Sequence, residues 1–227
     1  MKYQFLALVI LACFGCGKGT SSVAVLPTKK DGQFYRVVNL TAQNLDVTLD
    51  DFALLQPYIP AFQPCSFRKS TPKKHTLKVK DSSGKLLLEE SLNFEPGAFV
   101  TYCIFADKVG LKLSSIPGES RARTAGDSEV RAVSLVDSVD LSIEDQSGKN
   151  RHLTVSGGLD PPKAAVKAGK YQVMLDGKPV NDWQSLEDGH TYTLIAYPSG
   201  KRASVILLQN SPDPMGQAAA AVQQSGG

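Results

Sequence analysis

The chain is written twice. Tyr35-Arg36-Val37-Val38-Asn39-Leu40-Thr41 is followed by Leu45-Asp46-Val47-Thr48-Leu49-Asp50, and Val130-Arg131-Ala132-Val133-Ser134-Leu135-Val136 by Val139-Asp140-Leu141-Ser142-Ile143-Glu144. With one gap these blocks superpose: Arg on Arg, Val38 on Val133, Leu40 on Leu135 and Asp46 on Asp140. A second pair follows in the same order, Phe94-Glu95-Pro96-Gly97-Ala98-Phe99-Val100-Thr101 with Leu186-Glu187-Asp188-Gly189-His190-Thr191-Tyr192-Thr193. Each is continued by a β-prone run, ending at Phe105 or Tyr197. Two matching blocks in the same order imply a duplication, and so one small fold built twice.

That fold is β. Leu45, Val47 and Leu49 alternate with polar residues, as do Val139, Leu141 and Ile143, Leu77 and Val79, and Tyr171, Val173 and Leu175. Period-two alternation puts one face of a sheet in a core and the other in water. Asp81-Ser82-Ser83-Gly84 and Asp176-Gly177 are hairpin signals. Glu95-Pro96-Gly97 and Glu187-Asp188-Gly189 place glycine where a tight turn needs positive φ. No apolar 3.6-residue stripe is long enough to argue a helix. The expected architecture is all-β, two tandem immunoglobulin/transthyretin-like β-sandwich domains after a lipoprotein signal peptide, with about seven strands per copy. The divisions are a signal over 1–16, a tether over 17–33, domain 1 over 34–117, a linker over 118–127, domain 2 over 128–210 and a disordered tail over 211–227. Because the linker is polar, the halves are expected to fold independently.

The amino terminus carries the export reading. Met1-Lys2 precedes the uncharged run from Phe5 to Ala12, a basic n-region and an h-region of signal length, roughly 7–15 residues. That run is shorter than the ~20 residues a spanning helix needs. Ala12-Cys13 and Gly15-Cys16 each set a small residue before cysteine, which looks like a bacterial lipobox. Cys16 is taken as the lipidated residue because it gives the more usual signal length. Cys13, with Ile10 and Leu11 upstream, is the alternative, and a plain cleaved signal is another. A glycine or phenylalanine after the cysteine, rather than aspartate, resembles outer-membrane sorting in a Gram-negative cell. The chain is thus expected to be exported, periplasm-facing or on the cell surface, and held to a membrane by lipid. Past the signal only Cys65 and Cys103 remain. In an oxidising compartment they read as one disulfide, closing a loop of about 40 residues worth on the order of 3–4 kcal/mol.

Little chemistry shows. A net charge of +3, from 25 basic and 22 acidic residues, gives no pull toward nucleic acid. The densest basic stretch, Arg68-Lys69 with Lys73-Lys74-His75 around Pro72, reads as a solvated loop rather than a patch for an acidic polymer. His75, His152 and His190 are scattered with no metal-ligand spacing. Asp46 and Asp140 recur in both copies, but they sit on the polar side of their strands and read as edge or turn contacts. Trp183 reads as a cap on the second core rather than a sugar-stacking platform. No nucleophile has a base in evidence, so no catalytic residue, cofactor or metal is assigned.

The Tyr-Arg-Val-Val-Asn-Leu-Thr opening at 35–41, repeated loosely from Val130, resembles the AlgF family of periplasmic accessory proteins of alginate O-acetylation. Gly189-His190-Thr191-Tyr192-Thr193-Leu194 resembles that family's later strand. The likeness spans roughly residues 33–210. The chain departs from it in its lipobox, in Cys65 and Cys103, and in Ser134 where the motif has Asn. The same motifs resemble a broad bacterial family of repeated surface sandwich domains of unknown function. The resemblance implies a non-catalytic envelope module that binds a polysaccharide or a partner in a polysaccharide-modifying complex. A structural or adhesion-like envelope lipoprotein is the alternative.

Overall fold

In a computed structural model the described residues are 33–71, 73–118, 128–136, 139–155, 162–180 and 182–210. The signal with Cys13 and Cys16, the tether up to residue 32, linker positions 119–127 and the tail from 211 lie outside them. The described chain is all β, with several sheets and no helix.

Its first half runs β1 (Gln33–Asn39), β2 (Asp46–Leu49), β3 (Phe52–Ala53), β4 (Gln63–Pro64), β5 (Arg68–Ser70), β6 (Lys74–Lys80), β7 (Leu86–Asn93), β8 (Phe99–Ala106) and β9 (Leu111–Pro117). The second half follows with β10 (Ser128–Ser134), β11 (Val139–Asp145), β12 (Asn150–Val155), β13 (Lys163–Val166), β14 (Gly169–Leu175), β15 (Lys178–Pro179), β16 (Gln184–Leu186), β17 (Thr191–Ser199) and β18 (Arg202–Gln209). That is nine strands per half rather than seven; the extra ones, such as β3, β4 and β15, are two-residue pairings too short to leave a periodic signal.

The duplication is visible in the topology. An outer sheet of order β3-β2-β6-β7 faces an inner sheet β4-β1-β8-β9, with β5 also on β1. The second half matches it with outer β12-β11-β14-β15, where β16 also pairs β14, and inner β13-β10-β17-β18. In both halves the first strand runs parallel to the penultimate one, β1 beside β8 and β10 beside β17. Registers fix the equivalences: Val38 lies opposite Cys103, and Val133 opposite Ile195. The glycine turns form as the sequence requires, with Gly97 at φ 70° and Gly189 at φ 73°, and Asp176-Gly177 reverses β14 into β15 through two positive-φ residues. Asn39, fully buried, ties down the chain after β1: its Nδ2 donates to the carbonyl oxygens of Gln43 and Ile59, and its Oδ1 accepts from Thr41 N–H. Ser134 is its counterpart; its Oγ donates to the Val136 carbonyl (2.9 Å) and accepts the Val136 amide (3.2 Å).

Three cores follow from strand alternation. Tyr35, Val37, Val100, Tyr102 and Ile104 point from the first inner sheet toward Val47, Leu49, Leu77 and Val79 of its outer sheet. Val130, Ala132, Tyr192, Leu194, Val205 and Leu207 pack likewise on Leu141, Ile143 and Val173. The other faces of the two inner sheets meet. Val38, Leu40, Cys103, Phe105 and Ile116 of the first half form one buried cluster with Ile195, Tyr197, Ile206 and Leu208 of the second. Alternation against water therefore does not describe the central inner strands β1, β8, β10 and β17, which are buried on both faces. The halves share a core, which corrects the expectation that few contacts cross the linker.

Two arginines close this junction reciprocally. Arg36, 3 % exposed, donates from Nε to Thr101 Oγ1 (2.9 Å), from NH1 to the Gln209 carbonyl (2.7 Å) and from NH2 to Asn210 Oδ1 (3.2 Å). Arg131 donates from Nε to Thr193 Oγ1 (2.8 Å) and from NH1 to the carbonyls of Pro117 (2.9 Å) and Gly118 (3.1 Å). Each reaches across to the end of the other half's last strand, so the junction has the self-complementary logic of a twofold dimer contained in one chain.

The expected Cys65–Cys103 disulfide is absent, and both residues are thiols. They lie on opposite faces of one sheet. Cys65 follows β4, receives the Val37 amide on Sγ (3.2 Å) and packs in the first core. Cys103 projects from β8 into the junction. A bridge would have to pass through the sheet, which disulfide geometry forbids. Burial also pushes the Cys65 thiol pKa up, so its reactive thiolate is suppressed. Thiol labelling of denatured, unreduced protein is expected to modify both residues, while the folded protein protects both. A labelling count unchanged by prior reduction is the expected reading; new thiols appearing only after reductant would contradict this packing.

Candidate functional site

The first half carries a pocket of about 350 Å³ between the β2–β3 hairpin and β5, lined among others by Tyr35, Asp50, Phe52, Arg68, Lys69, Lys73 and His75. The hairpin turns at Asp50 and Asp51, both left-handed at φ 49° and 67°. Aspartate tolerates that region better than most side chains. The turn aims Asp50 inward: Oδ1 accepts the Thr76 amide (2.9 Å) and Oδ2 pairs with His75 Nδ1 (2.7 Å). It aims Phe52 outward, 79 % exposed at the rim.

The basic stretch from 68 to 75 is not a free loop. Arg68 to Ser70 form β5 and pair with β1 from Gln33 to Tyr35. Arg68 also bonds the Leu54 carbonyl, and Lys69 Nζ sits 5.9 Å from the Phe34 ring centroid. The chain then reverses over a few residues into β6, bringing Ser70 within 3.2 Å of His75 Nε2. Ser70, His75 and Asp50 thus fall into the order of a nucleophile, base and orienting acid. Sequence reading missed this because Asp50 lies far off in sequence and Ser70 was read as loop.

His75 Nε2 also lies 2.8 Å from the Thr71 carbonyl, an acceptor that has no proton to give. Asp50 on the other side is held below its ordinary pKa by the Thr76 amide first and by His75 second, and so is an acceptor as well. Ser70 Oγ and the Thr71 carbonyl oxygen thus both face Nε2, while Nδ1 is taken up by Asp50. His75 is 3 % exposed and packs on Phe94, ring centroids 4.5 Å apart. The cluster acts as a bracket fastening the β2–β3 turn and the β5–β6 connection to the core. Burial pushes the neighbouring Tyr35 phenol up to about 12, so it stays protonated.

The bracket has a pH signature. Because the folded-state pKa of Asp50 is lowered, its stabilisation is complete above the ordinary value of 3.8 and is lost as pH falls through the lowered value. Asp50→Asn is expected to cost about 1 kcal/mol at neutral pH, discounted for partial exposure, and nothing extra in strong acid. Denaturant unfolding at pH 7 and pH 2.5 checks this; an equal penalty at both would contradict it.

The duplication supplies an internal comparison. With Leu49 opposite Leu77 and Ile143 opposite Val173, the place of His75 falls to Tyr171, whose hydroxyl donates to the Lys167 carbonyl (2.9 Å). The fold therefore does not require the histidine cluster.

The other singled-out residues are not gathered. His152 approaches Asp140 at 3.6 Å on the surface, and His190 bonds the Asp188 carbonyl within its own turn. Among the described residues no three metal-ligating side chains converge. The Asp140 amide donates to Asp176 Oδ1 (3.2 Å), a turn contact. Trp183 is 42 % exposed and stands outside the second core, which corrects its reading as a cap.

No protein-family model matches the chain, and no curated protein matches it. Among solved structures, one similar chain is described as "a putative cell adhesion protein from Bacteroides ovatus ATCC 8483". The two share 9 % identity over 85 % of this chain and 98 % of that one, with a TM-score of 0.25. The comparisons do not show the AlgF family.

Proposed function

We propose that the chain is a non-catalytic, exported envelope module, tethered by lipid at Cys16 (or Cys13) and acting as a rigid binding accessory. The observation that carries the reading is the His75 bracket. His75 is 3 % exposed and tied to Asp50, Ser70 and the Thr71 carbonyl at once, which supports its reading as a fastening between two connections. The short basic and apolar leader of residues 2–12 supports export, and the small residue before each cysteine supports lipidation. The resemblance of the strand motifs at 35–41 and 189–194 to those of alginate O-acetylation accessories supports a place beside a polysaccharide-modifying complex. A structural or adhesion-like envelope protein is the second reading, favoured by the exposed Trp183 and Phe52 as contact points.

Two measurements test the proposal. Purified protein is expected to show no turnover of short acyl esters above buffer, whereas turnover abolished by Ser70→Ala would establish a hydrolase. A palmitate analogue is expected to label the wild type and not the Cys13→Ser/Cys16→Ser variant; persistent label in that variant would remove the lipid anchor.

A further inference from the structure

We propose that three phenylalanines of the first half are the docking surface for a segment of this same chain, Ser211-Pro212-Asp213-Pro214-Met215-Gly216, which clasps the first half beyond the junction. The inference goes beyond the lipoprotein reading and does not depend on it. The surface is the first argument. Phe34 and Phe99 are register partners on β1 and β8, and their rings stack with centroids 5.0 Å apart. Phe67 stands edge-on to Phe99 at 6.2 Å. Strand parity puts Phe34 and Phe99 on the face of the inner sheet that carries Val38 and Cys103 into the junction, and Phe67 joins them there. All three rings are only half-buried. Lys69 Nζ lies over the Phe34 ring and the Arg36 guanidinium over the Phe67 ring, so the cluster has a cationic border.

The direction of β18 is the second argument. Near its start Ser204 lies opposite Tyr197, whose ring meets Phe62 beside the Asn39 end of β1. At its end the Gln209 carbonyl and Asn210 Oδ1 accept from Arg36. The strand thus crosses this face from the Asn39 end of β1 toward the Phe34 end. From Arg36 to Phe34 is two strand residues, about 7 Å, which two or three extended residues span. The chain leaving Asn210 starts beside the aromatic cluster and is aimed along it.

The duplication supplies the third argument. Arg131 holds Pro117 and Gly118 as Arg36 holds Gln209 and Asn210, so the sequences that follow are equivalent. After Gly118 the chain reads Glu119-Ser120-Arg121-Ala122-Arg123, and the positions matching Phe34, Phe67 and Phe99 are Glu129, Lys163 and Thr191. After Asn210 it reads Ser211-Pro212-Asp213-Pro214-Met215, and those positions are phenylalanines. A polar continuation goes with a polar surface, and a proline and methionine continuation with an aromatic one. The fold itself therefore does not require the rings. Prolines in an extended segment dock on aromatic side chains at low entropic cost, a thioether sulfur favours ring edges, and Asp213 is opposite in sign to Lys69.

Photo-crosslinking in the full chain tests the proposal. A benzophenone amino acid is placed in turn at Phe99, inside the cluster, and at Lys69, on its exposed border. Illumination is expected to join either position to the peptide containing residues 211–216, at a yield that does not change on dilution. Pro212→Ser/Pro214→Ser/Met215→Ser is expected to lower that yield about tenfold and Tm by about 3–6 °C. A segment that is merely tethered nearby would react equally with or without its prolines. Lys69→Glu is expected to lower the yield from position 99 severalfold, and Lys69→Glu/Asp213→Lys to restore it. Because Lys69 is exposed, that position keeps the test valid if a benzophenone at Phe99 disturbs folding. Crosslinks to other parts of the chain from both positions, crosslinks between chains that grow with concentration, an unchanged yield in the triple variant, or a charge swap without recovery would each overturn the proposal. None of these outcomes bears on ester turnover or on lipid labelling, so the two readings fail separately.

Discussion

A fragment covering residues 128–210 is expected to self-associate rather than persist as a stable monomer. Removing the first half uncovers Ile195, Tyr197, Ile206 and Leu208, all at or below 3 % exposure in the intact chain. At roughly 1.5–3 kcal/mol per fully buried large apolar side chain, on the order of 6–12 kcal/mol of burial is forfeited, comparable to the whole stability of a domain. The exposed surface is an apolar patch on a regular sheet, which soluble monomers avoid. Because the junction is self-complementary, a second copy can replace the lost half, with Arg131 donating to its partner's last strand in place of Pro117 and Gly118. Light scattering coupled to size exclusion is expected to show a dimer or larger species. Thermal unfolding is expected to depend on concentration. A monomer that melts cooperatively near the temperature of the full chain would mean that the shared core contributes little.

Why the sequence misled on this point can be stated residue by residue. The polar stretch from Pro117 to Asp127 says only that the connection is hydrated; it says nothing of what the sheets on either side do. The informative signal lay in the strands. Leu77 and Val79 alternate with lysines and mark an outer sheet correctly, but Phe99 to Phe105 and Thr191 to Tyr197 hold hardly any charge on either parity. A strand without a polar face is one buried on both faces. The same consideration would have warned against the disulfide. Cys65 and Cys103 were paired by elimination, yet Cys103 has the parity of Thr101 and Phe105 and so belongs to the face opposite Val100, Tyr102 and Ile104. Counting cysteines ignored which side of a sheet each must occupy.

The repeat itself, the β class and the glycine turns were legible because they rest on local chemistry that tertiary context rarely overrides. The site was not. Asp50 and His75 meet through the register of β2 on β6, and Ser70 joins them only because β5 pairs with β1. No spacing rule encodes that. Trp183 failed as a core cap for the converse reason: it sits between the bend at Asp182 and the short strand β16, where a large aromatic need not be inside.

Arg36→Ala is expected to be the most damaging single substitution at the junction. The guanidinium is buried and donates to Thr101 Oγ1 and to Gln209 and Asn210, the last residues of the other half. It also stacks over Phe67, 4.7 Å from the ring centroid, so alanine removes packing as well as charge. Hydrogen bonds from charged donors are worth about 1.5–3 kcal/mol, and the carbonyl and amide oxygens left behind are desolvated. A loss of about 3–4 kcal/mol is the expected sum, and for a chain of this size that lowers Tm by roughly 6–15 °C. Arg36→Lys keeps the charge but not the planar fork that serves Thr101, Gln209 and Asn210 at once, and is expected to recover no more than about half of the loss. Arg131→Ala removes the mirror-image set to Thr193, Pro117 and Gly118 and is expected to cost a similar amount. Together the two losses approach the ~5–15 kcal/mol that stabilises an ordinary domain. The double variant is therefore expected to be unfolded or to melt near room temperature, while each single variant stays folded. Calorimetry on the three proteins decides it: an Arg36→Ala protein melting within about 2 °C of the parent would show that the clamp decorates the junction without holding it.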